Sequence, residues 1–388
     1  MVNSDPKLPG LATSDDSIPA DRRYEVILYG ATGFVGRLTA RHLAQTAAGA
    51  RIALAARDRS KLEALQDELG VDWPLLVVNP ADPDQLSALA VSTTAVASAV
   101  GRHGLPVAHA CARAGTSYAD LSGEVPFVHA SIDELHEIAV GTRARIVHGC
   151  GFNAVPSDIG TYLLHERVRR DGAGSLTETV LILEALTGGF SGGNLDSNRA
   201  QHRALEGNPS LRSAIADPWV LSAVPGKTTA ADIDPSGPFH DRLTGRWLAP
   251  ALGGLFNSRL VRRSASLSDD GYGPGFHYRE GMAAGRSVLA PAQAALITFG
   301  FATVTFALTS PVAAPLMNRL LPPGSGPSEK TRRNGRFRIK IYTRTSTGAG
   351  YVATVAAKGD PGYAATSVML GQSALSLATD RCRPAAVC

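Results

Sequence analysis

The 388 residues can bury more than one core, and a formal net charge of +4 with 44% apolar and 19% charged residues is ordinary for a globular chain. That charge, with no basic helix interleaved with aromatics, argues against a nucleic-acid partner. The four cysteines (Cys111, Cys150, Cys382 and Cys388) form no C-x-x-C pair, so neither a metal site nor a secreted disulfide framework is read, and the cytoplasm is the default compartment.

Residues 1–22 mix Ser, Asp, Pro and Gly without an apolar core, which reads as a flexible tail rather than a signal peptide. Tyr24 to Tyr29 then reads as a buried parallel strand. It runs into Gly30, Ala31, Thr32, Gly33, Phe34, Val35 and Gly36, a glycine-rich turn opening a helix from Val35 to about Ala47. Gly30 allows the sharp turn, Gly33 clears space for a pyrophosphate, and Gly36 lets helix and strand approach closely. The helix N-terminus favours the phosphate charge, so all seven residues are read as cofactor-binding.

Arg51 to Ala56 is the second strand, and Arg57 follows it, about twenty residues past the last motif glycine. An acid at that position accepts from the 2′-hydroxyl of NAD. Here Arg57, Ser60 and Lys61 suit a 2′-phosphate, which points to NADPH; the alternative is that they are solvated residues at a helix start. Leu75 to Val78 is the third strand, and Asp82 after it falls where such folds contact the adenine side. A helix from Pro83 to about Ala90 leads to the fourth strand, Ala95 to Val100, whose end at Val100 and Gly101 faces the expected cleft. Leu105 to Ala114 is helical and stops at Gly115. Tyr118 to Leu121 is a short strand, Ser131 and Glu134 look like a capping box for the next helix, and Arg145 to His148 is another strand. His148 and Cys150 lie near its end, but two residues make no metal site. This alternation predicts an α/β fold, a Rossmann-type doubly wound parallel sheet over residues 23–158.

A second α+β domain is predicted over 159–358. Its expected elements are a helix from Ile159 to Arg169, a strand from Thr179 to Ala185, and a hairpin of Phe337–Tyr342 and Tyr351–Ala357. Residues 207–275, rich in Gly, Pro and Ser, show little periodicity. Residues 359–388 are expected to carry a helix, about Ala364 to Thr379, that returns to the first domain. From Val288 to Asn318 there is no charged residue, and Arg286 and Arg319 flank the run. A buried helix pair, a surface entering a membrane interface and the wall of a long-chain acyl site all fit it; Pro291, Pro311 and Pro315 argue against a true span. Gly189-Phe190-Ser191-Gly192-Gly193 matches G-x-S-x-G, but nothing fixes Asp217, Asp232, His240 or His277 as triad partners, and a glycine-rich turn is the simpler reading. Lys330, Arg332, Arg333, Arg336, Arg338 and Lys340 form a basic run that suits a solvated face, an acidic carrier protein or an anionic lipid surface.

The runs YEVILYGATGFVGRLTARHLA, RIALAARD, AGTSYADLSGE, RIVHGCGFNAVPSD, GGFSGG and GDPGYAATSVMLG, with Arg259 to Ser264, resemble the saccharopine dehydrogenase-like oxidoreductases. Within these the chain is most similar to the mycobacterial trans-acting enoyl reductases. The resemblance implies NADPH-dependent reduction of a C=C bond in an acyl chain on the acyl carrier protein of a polyketide synthase, in phthiocerol or phenolphthiocerol lipid biosynthesis. A homodimer and a position peripheral to the inner membrane are left open. Hydride delivery to the β-carbon needs donors for the developing enolate and an acid for the α-carbon; Tyr118 is the candidate acid, with a packed tyrosine as the alternative. The chain departs from its relatives in a shorter Val100–Gly104 segment, in Asn153-Ala154 replacing an acid and a serine, and in an end at Cys388 that reads as a truncation or altered frame. The rivals are a saccharopine-like dehydrogenase of an amino or keto acid and a non-catalytic NADP(H)- and lipid-binding protein.

Overall fold

The computed structural model describes residues 22–188, 207–224, 226, 228–251, 253–268, 271–310 and 326–380. The expected N-terminal tail, the G-x-S-x-G turn, residues 311–319 and the end from Arg381 to Cys388 lie outside the described residues.

The first sheet is built from β1 (Tyr24–Tyr29), α1 (Phe34–Thr46), β2 (Ile52–Ala56), α2 (Arg59–Leu69), β3 (Leu75–Val77), α3 (Pro83–Val91), β4 (Thr93–Ser98), α4 (Leu105–Ala114), β5 (Ser117–Asp120), α5 (Val125–Thr142) and β6 (Ile146–Val147). Its six strands are all parallel, in the order β3-β2-β1-β4-β5-β6. This is the Rossmann arrangement, with the strand order reversing between β1 and β4. Strand alternation feeds two cores. Val26, Leu28, Leu54 and Ala97 face α1, α2 and a C-terminal helix, while Ile27, Tyr29, Val96 and Tyr118 face α3, α4 and α5. Both faces are covered, which is why these strands read as continuous apolar runs.

The second sheet uses α6 (Val155–Arg170), β7 (Leu176–Thr187), α7 (Pro209–Ala216), β8 (Phe239–Asp241), β9 (Arg246–Pro250), α8 (Gly254–Leu267), β10 (His277–Ala283), α9 (Ala290–Thr309), α10 (Glu329–Asn334), β11 (Arg336–Thr345) and β12 (Gly350–Lys358). Its order is β12-β11-β7-β10-β9-β8, with β7 and β10 parallel and the other pairs antiparallel. Leu164 and Val168 of α6 and Val261 and Ala265 of α8 pack on Leu181, Leu183, Ile339 and Ile341. The last helix, α11 (Thr366–Thr379), lies on the first sheet, with Leu370 and Ala374 buried beside Leu28 and Ala97.

Three expectations are corrected. Ser131 and Glu134 lie inside α5, which begins at Val125, so they cap nothing; Ser131 is buried because its hydroxyl meets His148. Residues 207–275 hold α8, whose Arg259, Arg262 and Arg263 are buried. Their guanidinium groups donate to the carbonyls of Ile215, Pro218, Asp232, Tyr278 and Leu221, stitching irregular backbone to the helix. Hydrophobic periodicity does not register such contacts. The uncharged run from Val288 is not a buried helix pair in its described part: α9 is one helix with Leu296, Phe299 and Phe306 exposed. Among the described residues no helix is long and apolar enough to cross a membrane.

Glu280, buried beneath α8, accepts hydrogen bonds from Asn257 and from the hydroxyl of Tyr278. Burial raises its pKa from 4.5 to about 7, against the lowering effect of these donors and Ser157. The folded chain therefore holds a proton that the unfolded chain releases, and this contribution is lost as pH rises from about 4.5 through about 7. Thermal melts should show Tm falling across that window, and Glu280→Gln should flatten the fall; an unchanged slope in the variant would assign it to other groups.

Candidate cofactor and active site

The site is built at the carboxyl ends of β1 to β6, where an open parallel sheet leaves a crevice at the reversal of strand order. Gly30 turns off β1 with φ +78°, and a Cβ there would lie 2.6 Å from Val100 Cγ1, so the loops after β1 and β4 touch at the reversal point. Gly33 is the N-cap of α1 and has no side chain to bond the first turn. The N–H groups of Thr32, Phe34 and Val35 make no hydrogen bond among the described residues. By contrast Asp58 caps α2, accepting from Lys61 N at 3.1 Å. The first turn of α1 thus keeps free donors and a partial positive charge for an anion. Gly36 is fixed by contact: a Cβ there would be 2.2 Å from Gly30 O and 2.9 Å from Ala31 Cα.

Arg57 follows β2, is exposed, and makes no hydrogen bond or ion pair among the described residues. Burial raises the pKa of neighbouring Tyr29, and the charge of Arg57 opposes the rise. Ser60 and Lys61 lie in the exposed first turn of α2, where Lys61 Nζ is 3.5 Å from Asp58 Oδ2. A free guanidinium at the end of β2, and a hydroxyl and an ammonium in the helix turn that follows, are the set a 2′-phosphate needs. With the uncapped α1, these residues fit NADP.

Asp82 is accounted for by the fold. It is the N-cap of α3, accepting from Asp84 N, Gln85 N and Gln85 Nε2 at 3.0, 3.2 and 2.7 Å. Three donors of its own helix turn occupy the carboxylate, which explains the residue without an adenine contact.

Val100 is half-buried against Gly30, and Gly101 begins a 3₁₀ turn, Gly101–Gly104, leading into α4. That turn sits directly on Tyr118: a Cβ at Gly104 would be 2.2 Å from its hydroxyl oxygen and 3.2 Å from Ser98 Oγ. Tyr118 therefore does not face the cleft. It is 0% exposed, and its hydroxyl donates to Asp120 Oδ2 at 3.2 Å. Burial first, and the Asp120 charge second, push its pKa well above the usual phenol value, and the turn closed over it keeps its hydroxyl from substrate. Asp120 Oδ2 also accepts from Ser122 Oγ at 2.9 Å and lies 3.0 Å from His148 Nδ1, while His148 Nε2 lies 2.8 Å from Ser131 Oγ. This buried polar network supports the turns after β4 and β5 from beneath. Period-two alternation puts Tyr118 and Asp120 on one face of β5, a signal present in the sequence. Among the described residues no group of His, Cys, Asp and Glu is arranged to hold a metal ion.

Two residues join the site unforeseen. Asn153, after β6, is exposed, makes no hydrogen bond among the described residues, and its amide nitrogen would be 2.8 Å from a Cβ on Gly123 in the loop after β5. Arg332 of α10 stacks its guanidinium 5.5 Å from the centre of the Phe34 ring, whose edge meets Tyr363 at 5.3 Å. Part of the basic run thus brings positive charge to the N-terminus of α1 instead of forming a free face.

Residues 26–146 match the saccharopine dehydrogenase NADP-binding domain family. Over most of its length the chain is similar to a candidate trans-acting enoyl reductase of Mycobacterium tuberculosis strain H37Rv, at 43% identity covering 93% of this chain and 90% of the relative. It is also similar to a trans-acting enoyl reductase of Mycobacterium ulcerans, at 42% identity covering 94% of this chain and 91% of the relative. Among solved structures, apo saccharopine dehydrogenase (L-Glu forming) of Saccharomyces cerevisiae aligns over 93% of each chain with a TM-score of 0.50 at 13% identity, a likeness of fold.

Proposed function

The chain belongs to the trans-acting enoyl reductase family, and on that premise we propose that it reduces the carbon–carbon double bond of an acyl thioester with NADPH. The acyl chain is carried by the acyl carrier protein of a polyketide synthase that assembles lipids of the phthiocerol or phenolphthiocerol type. The observation that carries the reading is the free Arg57 beside an uncapped, glycine-bound helix start, in a chain this similar to named enoyl reductases.

NADPH, when bound, supplies the hydride that reaches the β-carbon. The chain's own residues do the rest. The first turn of α1 holds the pyrophosphate, and Arg57, Ser60 and Lys61 hold the 2′-phosphate. The turn at Gly101–Gly104, braced by Tyr118 and Asp120, walls the side where the reacting carbons lie. Asn153, beside the loop after β5, keeps a free amide donor among the described residues and is suited to the thioester oxygen as negative charge develops there. With carrier-bound enoyl substrate, Asn153→Ala should lower kcat/KM by about 10²-fold while leaving the NADPH Kd unchanged. Unchanged kcat/KM would remove Asn153 from the mechanism, and no turnover by folded, NADPH-bound wild type would remove the enoyl reductase reading.

The carrier is expected on the outward face of β11 and β12. Alternation turns Phe337, Ile339 and Ile341 inward and Arg336 and Arg338 outward, and Lys358 stands opposite Arg336. Carrier proteins are acidic, so this face is complementary to them. Arg336→Glu with Arg338→Glu should raise KM for carrier-bound substrate about tenfold and leave a short carrier-free thioester unaffected. Equal effects on both substrates would contradict a docking role.

A further inference from the structure

Helix α9 has no charged residue in its 20 positions. It is anchored through Ala294 and Ile297, which pack with Ala249, Met282 and Ala284. The opposite side carries Leu296, Phe299 and Phe306, 71–72% exposed; Val304, 49% exposed, lies two turns beyond Ile297 in line with it, and just before the helix Val288 is 96% and Leu289 63% exposed. At 100° per residue these positions spread over about half the circumference, wider than the single stripe a helix presents to a groove. Two hydroxyls of the helix turn onto its own backbone: Thr298 donates to Ala294 O at 2.8 Å and Thr303 to Phe299 O at 2.9 Å. Such a surface has little to offer water and few unmet polar groups to lose in hydrocarbon.

The charge around α9 is one-sided. Among the described residues from Phe239 to Ser310, the acids are Asp241 and Glu280, and both are buried. The exposed ionised groups there are cations. Arg286 stands four residues before the helix, exposed and without a hydrogen bond or ion pair among the described residues, and Arg242 lies exposed in the β8–β9 turn. A notch of about 280 Å³ at this end of α9 is lined by Thr244, Arg246, Trp247, Gly285, Arg286 and Ser287. Arg246 is already paired with Glu184 at 3.1 Å, which leaves Arg286 as the cation available to an outside anion. A wide apolar helix, a rim of cations with no exposed acid among the described residues of this stretch, and a tryptophan beside them match the layering of an anionic bilayer surface.

We propose that α9 lies in the interface of an anionic membrane, with Arg286 and Trp247 at the level of the lipid headgroups. The helix lies in the surface and does not span it. This goes beyond the reductase reading and does not depend on it, since nucleotide binding and lipid binding would use separate surfaces. A membrane position would bring the protein to the compartment where long apolar acyl chains partition.

The test is flotation of the full chain with vesicles of phosphatidylcholine alone and of phosphatidylcholine mixed with phosphatidylglycerol. Wild type should float with the anionic vesicles and far less with the neutral ones, and added salt should weaken the binding. The triple variant Leu296→Ser, Phe299→Ser, Phe306→Ser should lose at least about tenfold in the bound-to-free ratio, and Arg286→Glu should lose binding at low salt. NADPH titration of each variant is the folding control. Wild type remaining unbound to anionic vesicles, or equal flotation of the triple variant, would overturn the proposal. Sedimentation velocity without lipid covers the other occupant: a dimer that the triple variant dissociates would assign α9 to a second copy of the chain and likewise overturn it.

Discussion

Gly36→Ala should weaken NADPH binding by about 10²-fold or more and lower stability by about 1–3 kcal/mol. The methyl group would sit 2.2 Å from Gly30 O and 2.9 Å from Ala31 Cα, both backbone atoms that cannot swing aside. α1 must then move off β1, and the free N–H groups of its first turn move with it. Gly33→Ala is the informative partner, because its Cβ would be 3.3 Å from Gly30 O, a contact the loop can absorb with a small shift. That variant should melt close to wild type while losing NADPH, since the added methyl takes the space of the phosphate. Fluorescence titration beside thermal melts separates the two effects. If Gly36→Ala binds NADPH like wild type, the close helix–strand approach is not what shapes the site.

The second large effect is at Arg57. Arg57→Asp replaces an unpaired guanidinium by a carboxylate where the 2′-phosphate is expected. The loss of charge-assisted hydrogen bonds, with repulsion added, should raise the NADPH Kd by about 10²-fold. NADH, lacking the phosphate, should bind the variant at least as well as it binds wild type. Lys61→Ala should act in the same direction and more weakly, because Lys61 already shares its charge with Asp58. Equal wild-type affinity for NADPH and NADH would contradict the assignment of this corner to the 2′-phosphate.

The first domain was legible because a parallel sheet covered on both faces writes itself as apolar strands separated by helices. β1, β2 and β4 are buried along nearly their whole length. The glycine turn and Arg57 were legible for a different reason: the nucleotide imposes a fixed offset between the turn and the end of β2. Tyr118 was misread because its position near a strand end says nothing about the turn above it. Only the approach of Gly104 to the phenol hydroxyl reveals that the cleft is closed to it. Ser131 was misread as a cap because its true partner, His148, lies on another element.

The second domain was less legible because its order rests on polar contacts at long range. Arg259, Arg262 and Arg263 carry charge, which gives no sign of burial, yet each is buried with backbone carbonyls as acceptors. The stacking of Arg332 over Phe34 joins α10 to the first helix and leaves no local signature. Helix α9 was found as an uncharged stretch, but periodicity could not say whether it was covered, because its apolar residues surround it.

Hydride from NADPH is expected to reach the β-carbon of a carrier-bound enoyl thioester. The most direct measurement is mass analysis of product formed with NADPH deuterated at the transferred position. A saturated acyl product carrying deuterium at the β-carbon is the predicted result. Folded protein that binds NADPH yet returns the enoyl substrate unreduced, or a product without the label, would rule out enoyl reduction by this chain.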